Sequence, residues 1–189
     1  AMPTQFIPII IVGIVATVII GFGLKNVFGP KKVATLANYV KQGKIQAAIR
    51  TAKQLLKKEP RNTEAHYLLG QAYLKDSKNE LALMAFRAVG NIGQFGGFVR
   101  EVDFRRAIAK LYRDFNQPEE ALKEYLLLIK QNPGNADFLF EAGTLFEDRG
   151  NADRAMNFFK KAVESDPGHA KAHLHLGIIL YRGRHTAEA

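Results

Sequence analysis

Three histidines stand close together near one end of the chain: His169, His173 and His175. Neutral imidazole is a common ligand for zinc and related ions. His169 and His173 lie one helical turn apart, a spacing that can share a metal. No carboxylate at ligand spacing joins them, so the reading is no metal. The sequence has no Cys, which excludes a thiolate metal site, a cysteine nucleophile and a disulfide scaffold. GxxxxGK[ST], GxSxG and HExxH are all absent. The carboxylates do not form a paired acid and base in a dry pocket, as catalysis by a raised pKa would need. We therefore expect no enzyme and no cofactor, and look for a binding role.

Charge supplies the first lead. The 189 residues carry 27 Lys and Arg against 18 Asp and Glu, a formal net charge of +9. No charged side chain precedes Lys25, and nine basic residues then run to Lys58 before the first acid, Glu59. Beyond residue 58 the remaining 18 basic residues balance all 18 acids, so the whole excess lies in one stretch. A nucleic-acid binder spreads such charge over a groove-facing element with polar or aromatic base readers. Charge placed directly after an apolar segment points instead to a membrane surface, and no nucleic-acid partner is expected.

That apolar segment is residues 6–24, FIPIIIVGIVATVIIGFGL, 19 residues without a charge. As a helix it would span about 28 Å, close to the roughly 30 Å hydrocarbon core of a bilayer. We expect a transmembrane helix after a short tail, residues 1–5, with a basic juxtamembrane linker at 25–33. A buried core helix and a cleaved signal peptide are the rivals. The first is disfavoured by apolarity on every face, the second by the absence of a basic leader. Lys25, Lys31, Lys32, Lys41 and Lys44 form a basic cluster suited to anionic lipid. By the positive-inside rule they place the following chain in the cytoplasm, beside what we expect to be a bacterial inner membrane. Gly13, Thr17 and Gly21 share one stripe of the segment, a spacing compatible with a weak homodimer.

The rest of the chain repeats. Ala121, Ala155 and Ala189 are spaced by 34 residues, as are Pro133 and Pro167, Gly143 and Gly177, and Ala48 and Ala82. Ala82 to Ala121 is 39, an insertion of five within 90–101, where four glycines fall in eight residues. Within 136–169 apolar residues recur at three- and four-residue steps in two runs, broken at Gly150-Asn151. Each unit therefore reads as a helix–turn–helix. Gly143 and Ala155 are small where the helices of a hairpin cross, and Phe146 and Phe159 fill the space between hairpins. Pro167 ends the second helix. Phe95 and Phe98 in the insertion could serve as exposed partner contacts, but are read as aromatics that pin the loop to the core.

This pattern resembles the tetratricopeptide repeat family: a small residue at position 8, aromatics at 11 and 24, alanines at 20 and 27, and proline at 32. Residues 136–169 match with Gly143, Phe146, Ala155, Phe159, Ala162 and Pro167. Residues 63–96 match through Gly70, Tyr73, Ala82 and Phe86; residues 102–135 carry Ala109 in place of the glycine. The first unit, about 29–62, is degenerate: Leu36 stands for the glycine, and Tyr39, Ala48, Ala52 and Pro60 are read as fitting. His66 and His173 both take position 4, a packing position. A fifth unit starts at Ala170 and stops at Ala189, so the array at 34–189 is read as about four and a half repeats, cut within the fifth. The resemblance implies an all-α superhelical solenoid of antiparallel hairpins, whose first helices line a concave groove for a peptide or helix of a partner protein.

Carried onto this sequence, the groove positions are Tyr67, Gln71 and Lys75, then a basic band of Arg106, Lys110 and Arg113, then Phe140 and an acidic band with Glu141 and Glu147. Chaperone-docking members hold a terminal carboxylate with a clamp whose positions here are Val33, Ala37, Leu68, Asp103 and Ala107; none matches. The expectation is a membrane-anchored scaffold that recruits partner proteins. A receptor for targeting peptides and an exported periplasmic scaffold are alternatives. Bacterial inner-membrane arrays that regulate lipopolysaccharide synthesis are similar in starting with one membrane helix, but end in a four-cysteine module absent here.

Overall fold

The computed structural model describes residues 32–187, with side chains to residue 183. Among the described residues every regular element is helical. Helix α1 covers residues 32–41, and α2 (Ile45–Lys58), α3 (Thr63–Lys75), α4 (Asn79–Ile92), α5 (Glu101–Asp114), α6 (Pro118–Gln131), α7 (Ala136–Asp148), α8 (Ala152–Ser165) and α9 (Ala170–Ala187) follow. No described helix is long and apolar enough to cross a membrane. The apolar segment 6–24, its glycine stripe, and Lys25 and Lys31 lie outside the described residues. Lys32 and Val33, expected in the linker, are already helical, and Val33 is buried. The first core residue of α1 therefore comes before residue 34.

The chain forms two compact units, meeting within the Gly-rich insertion at Phe98/Val99. In the first, α2 packs on α3 and α3 on α4; in the second, α5 to α9 pack in order, each on its neighbour. The helices of a hairpin differ in what they bury. α7 buries eight residues on most of its circumference, Phe138 to Phe140 and Ala142 to Phe146. α8 buries the single stripe Ala155, Phe159 and Ala162. α7 is enclosed by α6 and α8, so its apolar residues need not keep to one face.

The connections repeat as the sequence does. Between first and second helices, residues 43, 77, 116 and 150 each adopt the left-handed conformation, with φ of 72°, 56°, 53° and 71°. Gly43 and Gly150 take it at little cost; Ser77 and Asn116 take it despite a Cβ. Between hairpins, Pro60, Pro133 and Pro167 each stand two residues past a helix end. Asn62 and Asn135 cap the next helix by accepting from the N–H of Ala65 (2.9 Å) and Phe138 (3.0 Å).

Four of the five inserted residues are loop: the connection is eight residues, 93–100, where the corresponding connections 59–62, 132–135 and 166–169 have four, and the fifth lengthens α5 to 14 residues against 13 in α3 and α7. Without a proline, α4 ends at Gly93 in the left-handed conformation. The loop returns to its own unit through the Phe98 N–H, which donates to Glu64 Oε1 at 2.9 Å. Gly97, at φ 55°, lies against that carboxylate, which would have to shift to admit a Cβ. The expectation that both aromatics pin the loop fails for Phe98, which is 45% exposed. A backbone hydrogen bond holds the loop, leaving the ring free of that task.

Candidate partner-binding cleft

The second unit holds an open cleft of about 580 Å³. α5 forms one wall with Asp103, Arg106, Ala107, Lys110, Arg113 and Asp114. These recur at three- and four-residue steps, so they share one face of the helix. Their neighbours Phe104, Ile108, Leu111 and Tyr112 hold the opposite face in the core. Tyr125 of α6 forms the floor, and Glu141 of α7 the far wall.

The cations on α5 are not equivalent. Arg113 forms an ion pair with Glu141, across from α5 to α7. Arg105, off the cleft stripe, contacts Glu101 and Glu124, both at 2.6 Å, and these side chains are half-buried. Arg106 and Lys110 are exposed and have no acidic partner among the described residues. Burial pushes the Tyr125 hydroxyl up to about 12 and Glu141 adds to the shift, while Arg113 and Arg106 oppose it. The floor is thus a neutral phenol at physiological pH, a group that can donate and accept.

Glu141 and Glu147 of the acidic band are both paired. Glu141 is taken by Arg113, and Glu147 accepts from His175 Nδ1 at 2.6 Å. Within the second unit, opposite charges far apart in sequence meet where α5 faces α7 and where α7 faces α9. Two groove assignments need correction. Phe140 is 7% exposed, with ring centroids 5.1 Å from His169, 5.3 Å from His175 and 5.6 Å from Phe159. Tyr67 is 5% exposed and 5.8 Å from Phe86. An aromatic at position 5 is long enough to turn into the seam between helices, where burial favours it.

In the first unit the remaining groove positions are partly occupied. Lys75 donates its Nζ to Val40 O at 2.8 Å, capping the end of α1, and Gln71 is half-buried. Lys32, Lys41 and Lys44 of the basic cluster are exposed.

Each described histidine near the sequence cluster has a structural contact. His169 Nδ1 accepts from the Ala172 N–H at 3.1 Å, capping α9, and its Nε2 faces Asp137 at 3.3 Å. His173 Nε2 donates to Pro167 O at 3.0 Å, and His66 repeats the arrangement on Pro60 O at 2.9 Å. No group of three potential ligands is placed to hold a metal among the described residues. From its repeat position Tyr125 is a packing aromatic, and the structure adds it to the cleft lining. The available signal was its hydroxyl, at a position where the neighbouring hairpins have Phe86 and Phe159.

A tetratricopeptide repeat family model matches residues 38–91 and 106–170. No curated protein matches the sequence. Among solved structures, YrrB, described as a TPR protein with an unusual peptide-binding site, superposes with a TM-score of 0.70 at 19% identity, covering 81% of this chain and 76% of YrrB. MamA from Desulfovibrio magneticus RS-1 superposes at 0.64 with 20% identity, over 81% of this chain and 86% of that one. A tetratricopeptide repeat protein from Parabacteroides merdae gives 0.65 at 22% identity, over 79% and 58%. At these identities the likeness is one of fold.

Proposed function

The chain belongs to the tetratricopeptide repeat family, and on that premise we propose that it is a scaffold, anchored beside a membrane by residues 6–24, that holds a partner protein in the cleft of its second unit. One observation carries the binding reading: Arg106 and Lys110 stand on an open wall with no carboxylate of their own. A charged pair left unpaired on a concave surface is ready to gain a partner's charge without first breaking an internal bond. The YrrB likeness supports a peptide as ligand, since that protein is described by its peptide-binding site. The anchor rests on the uncharged run at 6–24 and the basic residues that follow it. The same charges favour a cytoplasmic array at a bacterial inner membrane.

A photo-crosslinking residue at Ala107, on the cleft wall, tests this in intact cells. A discrete adduct with one protein, absent when the probe is placed at exposed Lys160 on α8, is the expected result. The same adducts from both positions would dismiss the cleft as the contact surface.

A further inference from the structure

Resting on the partner-binding reading above, we infer that the cleft takes an extended acidic peptide segment with carboxylates at residues i and i+2. Arg106 and Lys110 are four residues apart on α5, so their backbones are about 6 Å apart along the helix. Alternate side chains of an extended strand share a face and repeat at nearly the same distance, about 6.6 Å. A Glu-x-Glu segment running along α5 would set one carboxylate on each cation. Adjacent acids would point to opposite sides of the strand and reach only one.

The surroundings limit the ligand further. Arg113 is neutralised by Glu141, so the free positive charge is two residues wide. Asp103, 3.5 Å from Arg100, and Asp114, which has no basic partner among the described residues, bound the stripe at either end. Asp114 repels an acidic tract that runs on past Lys110 toward the end of α5. Tyr125 below adds a neutral hydroxyl that can meet a peptide amide or carbonyl.

Fluorescent ten-residue peptides, binding to the full chain in nanodiscs and read by anisotropy, provide the test. One carries Glu-x-Glu, one Gln-x-Gln, one adjacent Glu-Glu, in an otherwise identical apolar and neutral background. Glu-x-Glu should bind about tenfold tighter than Gln-x-Gln, the size expected of one or two charge-assisted contacts. That advantage should shrink with salt and vanish in Arg106→Gln/Lys110→Gln, whose two positions are exposed and make no described hydrogen bond or ion pair. Glu-Glu should fall between them. Equal binding of Glu-x-Glu and Gln-x-Gln, or an advantage that survives the double substitution, would overturn the acidic-ligand inference while leaving a peptide-binding cleft. Binding of no peptide, with thermal unfolding intact, would overturn both.

Discussion

Gly143 faces Phe159 across the α7–α8 hairpin so closely that a Cβ on the glycine would stand 2.6 Å from the ring. Gly70 and Phe86 repeat the relationship at 2.5 Å. The small residue at position 8 therefore serves the aromatic at position 24 of its own hairpin. Gly143→Ala gains helix propensity of about 1 kcal/mol. It should nonetheless lower stability by about 1–3 kcal/mol through overpacking, measured by urea unfolding. Adding Phe159→Leu should recover part of that loss; a more stable Gly143→Ala single variant would contradict the contact.

The first hairpin carries the same pair inverted. Leu36 holds position 8 and Ala52 position 24, sixteen residues apart like Gly143 and Phe159, and both are 0% exposed. Ala52 thus stands in the aromatic's place. An exchange of large for small across the seam would keep its volume. Ala52→Phe alone should destabilise, and Leu36→Gly/Ala52→Phe should be more stable than the sum of the single effects predicts. A double-mutant cycle with no coupling would show that the two sites do not share space.

The left-handed turn residues allow a clean comparison. A Cβ on Gly150 would meet nothing within 4 Å, so Gly150→Ala tests φ alone. A cost of about 1–2 kcal/mol is expected. Ser77→Gly and Asn116→Gly should go the other way, raising the melting temperature by a few degrees.

Tyr125 makes stability depend on alkaline pH. Its folded value of about 12 lies above the usual 10 for tyrosine, so its contribution is complete below pH 10. Between pH 10 and 12 the unfolded chain has released the proton that the folded chain retains, and stability falls as pH rises. Chemical denaturation across that window should be steeper in pH for the natural chain than for Tyr125→Phe. Identical slopes would refute the burial of the phenol.

Topology is accessible because the chain lacks Cys. Lys78 is exposed in the α3–α4 turn, 2.7 Å from Asp76. Lys78→Cys should resist a membrane-impermeant maleimide, in cells with a permeabilised outer membrane, until the inner membrane is broken. Labelling with the inner membrane intact would place the repeats outside the cytoplasm.

The hairpins were legible in the sequence because each has its own short-range signals. Apolar steps of three and four, prolines past the helix ends at 60, 133 and 167, and Gly143 with Phe159 are local and periodic. The cleft was legible as positions but not as a state of charge. Nothing in the order of residues says that Glu141 neutralises Arg113, 28 positions away, while Arg106 and Lys110 stay unpaired. Phe140 and Tyr67 were misplaced for the same reason: their register allowed a groove position, and the neighbouring rings drew them into the core.

By itself the sequence determined the repeat, the hairpin breaks, the place of the insertion and the asymmetric charge, since helix formation and chain punctuation depend on residues a few positions apart. Tertiary structure decided which of those charges meet, which aromatics are buried and where an open cationic wall is left, because these depend on distances between helices that the sequence keeps far apart.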